Sequence, residues 1–520
     1  MKKSYSYKAG DKTIVRQYDY IPVRYIAAIM LTALEVVAIV STVFVLCYYV
    51  PYFYLAAWAT EIWCVIRIIS SDDNPEYKVP WLLFVLILPV AGFMLYFVFY
   101  KRTLDKKLLS RLRRVNDEGY SHNCDDVCSE LQKEDSASYG QAVSLMKTSG
   151  ASLFRGGKVS YFPLGKDKHT ALLRDLGEAE SFIFMEYFIV EEGEFWNSIL
   201  DILKEKAASG VEVRVIYDDI GCMTTLPGDY YKKLSTYGIH AVPFARLKGS
   251  ADGEFNNRSH RKIAVIDGKV GYTGGVNLAD EYIGAVIKHG HWKDVAVRIE
   301  GRGVWELTKL FLLDYSMNTK NLPEPEFDYY PDVPNVGNGY IVPFGDGPKP
   351  LYEYRVGKLA IMNMLETATR YVWITTPYLI IDNDMCTSLE SAALKGVDVR
   401  IVVPHIPDKR IILEMTRSFY PRLMRAGVKI YEYTPGFIHA KTYLSDDKVA
   451  IVGTINMDYR SLVHHFECGL WMYNVDCIKN INEDISSTLS ESMLISEEDI
   501  KVSLPRRFLR AVGRVFATLM

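Results

Sequence analysis

Apolar positions change rhythm along the chain. From residue 25 to 100 they are nearly continuous, while farther on short apolar runs are separated by polar turns. Residues 25–47 and 80–100 are each long enough to cross a bilayer as a helix. Residues 50–69 are apolar too, but carry Glu61 and Arg67, and read as a third crossing or a segment in the interface. The first run is too long for a cleaved signal and is followed by more membrane-like sequence. Farther on, residues 182–187 form a strand-like run, and Phe195, Ile199, Ile202 and Leu203 recur at helical spacing. Gly210 ends that helix, and residues 211–217 alternate as a strand. A strand, a helix and a strand in that order imply a parallel sheet.

The pattern then repeats. Residues 371–376 read as a strand, 386–394 as a helix and 397–403 as a strand. Residues 210–214 (Gly-Val-Glu-Val-Arg) reappear 186 positions later as residues 396–400 (Gly-Val-Asp-Val-Arg). Between the copies, residues 321–350 hold seven prolines and four glycines, a composition expected to form neither a helix nor a central strand. The predicted organisation is a basic tail (1–24), a membrane segment (25–101) and a linker (102–150). A first half (151–325), a Pro/Gly linker (326–350), a second half (351–500) and a basic amphipathic tail (501–520) follow.

Charge refines this picture. Lys2, Lys3, Lys8, Lys12, Arg16 and Arg24 precede the apolar segment, and Lys101, Arg102, Lys106, Lys107, Arg111, Arg113 and Arg114 follow it. Both flanks belong in the cytoplasm by the positive-inside rule, which favours two crossings and a multi-pass cell-membrane protein whose remaining chain is cytoplasmic. Net charge is only −3, which argues against bulk nucleic-acid binding. Eight scattered cysteines outline no disulfide framework, as in a reducing compartment. Cys124 and Cys128, near His122, make half of a metal-ligand pattern with no second pair, and read as a polar helix or loop. No metal and no cofactor are expected. In the C-terminal tail, Arg507, Arg510 and Arg514 fall near one side, and Phe508, Val512, Phe516 and Leu519 on the other. Such a helix suits anionic lipid or the protein's own core.

The candidate chemistry sits in a stretch that occurs twice. His260-Arg261-Lys262 is followed by Asp267, and His439-Ala440-Lys441 by Asp446. Each copy is trailed by a small-residue turn ending in Asn277 or Asn456, ten residues after the Asp. An imidazole can attack phosphorus or protonate a leaving oxygen. A lysine two residues on in a strand shares its face, where an ammonium can neutralise a phosphate oxygen. The two histidines are 179 residues apart, close to the repeat offset, so a pseudo-two-fold axis would bring both motifs into one site. Asp267 and Asp446 follow strands and read as support for the turn or the Lys rather than as acid or base. Asn277 and Asn456 offer amide donors to phosphate oxygens, with Tyr378 and Arg460 as weaker candidates. Glu186, Asp218 and Asp219 stand at strand ends, where sites of α/β proteins lie, though turn and cap roles are commoner there. His289 and His291 read as a loop near the site.

The two motifs resemble the signature of the phospholipase D superfamily, His-x-Lys-x4-Asp followed by a small-residue-x-Asn turn. Residues 437–442 (Phe-Ile-His-Ala-Lys-Thr), 453–461 (Gly-Thr-Ile-Asn-Met-Asp-Tyr-Arg-Ser), 258–262 and 297–301 look like bacterial cardiolipin synthases. So does the leader around residues 74–76 and 81–96. Ser259 and His465 depart from the family pattern, where Asn is usual, which leaves the class unchanged and bears on substrate fit. The resemblance implies duplicated α/β halves of mixed sheet flanked by helices. It also implies that Asp294 and Glu467 each orient the catalytic His of the opposite half. The implied reaction passes a phosphatidyl group between two phosphatidylglycerol molecules through a phosphatidyl-histidine, releasing glycerol. A phospholipase D-type hydrolase or other transphosphatidylase, a membrane-anchored nuclease and a non-catalytic scaffold are the alternatives.

Overall fold

The computed structural model describes residues 3–9, 12–18, 23–88, 91–99, 125–246, 256–319, 329–330, 333–334 and 336–517. Cys124, His122, Leu519 and the basic residues 101–114 lie outside them.

Two sheets repeat one topology. The first runs in the order Lys158–Phe162, Ala296–Glu300, Val270–Gly274, Lys262–Ile266, Phe182–Tyr187, Glu212–Asp218, His240–Phe244. The second has the same core order, Tyr340–Asp346, Glu467–Tyr473, Val449–Gly453, Thr442–Ser445, Tyr371–Thr375, Asp398–Pro404, Lys429–Tyr433. Ser492–Leu494 and Phe154–Arg155 extend its edges. In each sheet a three-stranded parallel side, built by the strand–helix–strand units, meets an antiparallel side. Lys262 and Thr442 open equivalent strands, so both motifs sit at the same end of their sheets.

Residues 321–350 differ from expectation. Tyr340–Asp346 is a wholly buried strand hydrogen-bonded along Glu467–Tyr473. Pro343 is tolerated because the outer neighbour pairs only with Tyr340 and Ile341. The helices Asp125–Glu134 and Ser136–Ser149, in the expected linker, pack on the second half. Gln141 donates to Thr367 (2.7 Å) and accepts from the Trp471 indole (2.9 Å). Within the expected basic tail, Lys3–Ala9 pairs antiparallel with Lys12–Tyr18.

The N-terminal helices are α1 (Val23–Tyr49), α2 (Pro51–Ile69), α3 (Pro75–Ile87) and α4 (Ala91–Phe99). Residues 80–100 are therefore not one straight helix. Leu88 leaves helical geometry (φ −118°, ψ 74°), as a residue preceding proline tends to do. α4 packs back against α3: the rings of Trp81 and Tyr96, about 22 Å apart along a straight helix, are 5.9 Å apart. Gly92 permits the tight return, since a Cβ there would lie 2.1 Å from the Phe84 carbonyl oxygen. Several side chains of α1 are outside the described set, and among the described residues no helix is long and apolar enough to cross a membrane. The hairpin is tied to the second half by Asn74 Nδ2 donating to Asp382 (2.8 Å) and by Tyr77 against the His464 ring. A cavity of about 710 Å³ lies along that junction.

Arg261, the middle residue of the first motif, joins the two halves. It is fully buried, pairs with Asp314 (2.8 Å), and donates to the backbone oxygens of Glu467 (3.0 Å) and Asp346 (3.2 Å). Arg261→Ala should destabilise the fold by about 3–5 kcal/mol, because it strands a buried carboxylate. Denaturant unfolding in detergent checks this; a loss below ~1 kcal/mol would contradict it.

Candidate active site

Each motif histidine is delivered by its own half and hydrogen-bonded to the other. The His260 amide donates to the Phe466 carbonyl (2.8 Å), and the His439 amide to the Lys293 carbonyl (2.7 Å). The second contact continues a short parallel pairing of His291–Lys293 with Gly436–Ile438. Side chains repeat the exchange. His260 Nδ1 lies 3.0 Å from both oxygens of Glu467, and His439 Nδ1 lies 2.6 Å from Asp294 Oδ2. A carboxylate on Nδ1–H fixes the tautomer and presents Nε2 as the free nitrogen.

Both imidazoles are buried and walled by aromatic rings. Phe188 stands edge-on to His260 at 5.1 Å, and Tyr282 edge-on to His439 at 5.6 Å. Burial drives the imidazoles toward neutrality. His439 is pulled down to about 4, by burial first and by the Lys441 charge next, against the pull of Asp294. His260 falls well below its usual range for the same first reason, with Glu467 opposing. Burial alone would raise Glu467, but the facing imidazoles outweigh it and hold this carboxylate well below the usual range. At neutral pH the site thus presents neutral imidazoles, with an ionised Glu467 beside His260.

The lysines complete a cationic pocket. Lys262 Nζ donates to the His260 carbonyl (2.6 Å), and Lys441 Nζ donates to the His439 carbonyl. Lys441 Nζ is also 2.8 Å from His439 Nδ1, but the Nδ1 proton is committed to Asp294, so that approach is a contact rather than a second bond. Each ammonium keeps hydrogens for a ligand. Burial lowers Lys262 to about 8 and, together with the Lys262 charge, Lys441 to about 7. The Lys262 charge also depresses His439, so the motifs share one electrostatic environment. In the free enzyme the ammoniums lose their protons as pH rises through 7 to 8, while the imidazoles become charged only in acid. The pH profile of kcat/KM should therefore fall above about 7 and again toward pH 4. A profile flat to pH 10 would contradict the lysine assignment.

The other sequence candidates divide clearly. Asp267 accepts the amides of Glu180, Ser181 and Phe182, and Asp446 those of Thr369, Arg370 and Tyr371. Both lie in left-handed turns at the far end of the motif strand, φ 52° and 55°. They pin adjacent strands and do not touch the imidazoles. Asn277 accepts from the Ile189 amide and donates to Tyr282 (2.8 Å); Asn456 donates to Asp458 (3.0 Å). One hydrogen of each amide is thus spent on the loop and one is left for a ligand. Asp218 pairs with Arg258 (3.0 Å) and accepts the Ser259 amide, and Glu186 accepts the Ser259 hydroxyl. Both anchor the two residues that precede His260. Tyr378 donates to Asp408 (2.7 Å), and His291 Nδ1 meets the Tyr433 hydroxyl (2.8 Å).

The family model described as "Cardiolipin synthase, PLD-like domain" matches residues 172–301 and 361–489, one copy in each half. The model described as "Phospholipase_D-nuclease N-terminal" matches residues 62–99. A cardiolipin synthase of Halalkalibacterium halodurans is 32% identical over 450 residues, covering 85% of this chain and 88% of that protein. The chain belongs to the cardiolipin synthase family. A cardiolipin synthase of Geobacillus kaustophilus is 36% identical over 359 residues, covering 68% of this chain and 71% of that protein. A Streptococcus mutans protein of undescribed function is 38% identical over 465 residues, 88% of this chain and 99% of its own length. The solved phosphatidylserine synthase of Haemophilus influenzae shares the fold (TM-score 0.54, 14% identity, 73% of this chain and 98% of that one).

Within this cardiolipin synthase-family site, three side chains escaped the motif reading as supports. Thr454 and Ser461 donate their hydroxyls to Glu467, one to each oxygen. His465 is buried, its ring 5.4 Å from that of His260 and its Nδ1 3.6 Å from Glu467. The matching place in the other half, two residues before Asp294, holds Trp292, 5.9 Å from His439. Position relative to the carboxylate was the signal that could have found it. At the place of Thr454 the first half has Gly275, where a Cβ would lie 2.0 Å from Asp294 Oδ1. Among the described residues, His260, His465 and Glu467 are the one group that could hold a metal, their ligand atoms lying within 4.8 Å of one another. A metal there would take Glu467 away from His260.

Proposed function

We propose that this phosphatidyltransferase makes cardiolipin from two molecules of phosphatidylglycerol, releasing glycerol. The observation that carries the reading is the pair of cross-half imidazole–carboxylate contacts, which leaves two Nε2 atoms and two ammoniums for one phosphodiester. His260 Nε2 attacks phosphorus, and the bond from phosphorus to the glycerol oxygen breaks. His439 gives that oxygen its proton. The phosphodiester's negative charge favours the imidazolium that His439 needs. Lys262 and Lys441 balance charge on the non-bridging oxygens. His439 then takes the proton of a headgroup hydroxyl on the second phosphatidylglycerol, whose oxygen displaces His260. One diester and one alcohol are consumed and regenerated, so no energy source is required. His260 is assigned as nucleophile because both oxygens of Glu467 face its Nδ1 and two hydroxyls hold that carboxylate in place.

The same reading places the protein in the cell membrane as a multi-pass protein. The backbone helix α1 is 27 residues long, about 40 Å, and α1 and α2 carry exposed Leu34, Phe44, Leu55 and Trp58. An even number of crossings within the α1–α4 segment keeps both basic flanks in the cytoplasm, with the α3–α4 hairpin set into the bilayer. Incubation of the purified chain with labelled phosphatidylglycerol, resolving lipid and water-soluble products, is the test. One glycerol per cardiolipin is expected, without added ATP; phosphatidic acid without cardiolipin would establish a hydrolase instead.

A further inference from the structure

The C-terminal helix Leu504–Phe516 docks with the wrong side inward for an ordinary surface helix. Arg510 is only 7% exposed, whereas Phe508 on the apolar arc is 68% exposed. Leu504, Leu509 and Val512 are exposed along the same arc. Three arginines make the attachment. Arg506 and Arg510 converge on Glu414 of the helix Arg410–Arg425, and Arg514 lies 4.6 Å over the Phe419 ring. The hydrogen bonds from Arg506 and Arg510 hold the Glu414 carboxyl down to about 2, against its partial burial, so the clamp stays ionised at neutral pH. Gly513 permits close approach, since a Cβ there would fall 2.4 Å from Met415 Sδ. At its C-terminal end the apolar arc reaches α3, where Phe516 meets Phe84 at 6.2 Å.

This arrangement reverses one sequence expectation. A basic face on anionic lipid requires arginines directed outward. Here Arg510 is buried, and Arg506 and Arg514, though exposed, contact Glu414 and Phe419, while the apolar arc from Leu504 to Val512 faces out and its Phe516 end meets the α3–α4 hairpin that the proposed function places in the bilayer. We infer that Leu504–Phe516 is a lipid-seated foot: its Leu504, Phe508, Leu509 and Val512 side chains enter the acyl boundary of the membrane that holds α1–α4, and Glu414 clamps it to the second half. The occupant is the apolar lipid layer, not an anionic headgroup. The foot would fix the orientation of the catalytic halves over the membrane surface.

The inference rests on the membrane reading, and the experiment separates the two. The full chain carrying Phe508→Cys, labelled with a nitrobenzoxadiazole probe, is reconstituted into phosphatidylcholine vesicles with nitroxide-labelled acyl chains. Labelling of the native cysteines is measured on the parent chain and subtracted, and Arg507→Cys is the control off the arc. Quenching at position 508 should exceed that at 507 by about twofold or more for a helix seated a few ångströms into the acyl boundary. It should be unchanged by phosphatidylglycerol or by roughly 1 M salt, where the Debye length is about 3 Å. Equal quenching at both positions, or quenching that appears only with anionic lipid, overturns the inference. Failure of the chain to float with the vesicles overturns the membrane reading itself.

Discussion

Alanine in place of His439 should lower cardiolipin formation by about 10²–10⁴-fold, and alanine in place of His260 should abolish it. A positioned acid–base group contributes about 10²–10⁴-fold, and a chain that lacks its nucleophile has no covalent route at all. Neither loss should come from unfolding. Each imidazole sits at the opening of a strand whose hydrogen-bond ladder is made by backbone groups, and the cross-half amide bonds of residues 260 and 439 do not involve the ring. Turnover of synthetic phosphatidylglycerol by each purified variant checks this, with the thermal midpoint in detergent measured alongside. Substantial transfer by either variant would mean that the motifs work separately.

The second large effect is expected from Asp294→Asn, about 10²–10⁴-fold in kcat by analogy with the orienting aspartate of serine proteases. Asp294 accepts twice, from the Val295 amide through Oδ1 (2.8 Å) and from His439 Nδ1 through Oδ2 (2.6 Å). An asparagine can keep only one of these. If its oxygen stays with the backbone amide, its NH2 faces Nδ1, which then becomes an acceptor, and the imidazole proton moves to Nε2. Glu467→Gln meets the same conflict more severely. There Thr454 and Ser461 both donate to the carboxylate beside His260, so a buried amide would confront three donors. Loss of kcat with KM little changed is the expected signature. A normal kcat in Asp294→Asn would show that the carboxylate does not set the tautomer.

Much of this architecture is written in local pattern. The runs 182–187, 211–217, 371–376 and 397–403 carry strand periodicity strong enough to place the strands Phe182–Tyr187, Glu212–Asp218, Tyr371–Thr375 and Asp398–Pro404. The repeat offset set the two motifs in equivalent places. What stayed hidden depends on relations that composition does not encode. Tyr340–Asp346 is a strand despite its Pro343 and Gly345 because the proline meets no outer neighbour. Hydropathy counts residues between 80 and 100 but not the direction the chain takes at Leu88. The amphipathic tail has two faces in any sequence, and only the Glu414 clamp determines which one turns inward. Thr454 and Ser461 are ordinary residue types, and their role exists only because the Glu467 oxygens come between them. Asp294 and Glu467 became candidates through family resemblance, since a carboxylate 34 or 28 residues after a histidine carries no periodic signal.

The claim that one imidazole bonds to phosphorus while its counterpart handles the proton is tested most directly by an activated substrate. A phosphatidyl ester of p-nitrophenol leaves without needing a proton, so the His439→Ala chain should still attack it. The account predicts a burst of one nitrophenolate per chain and, after rapid quenching and peptide mapping, a phosphatidyl adduct on His260. No burst, or an adduct on any other residue, would contradict it.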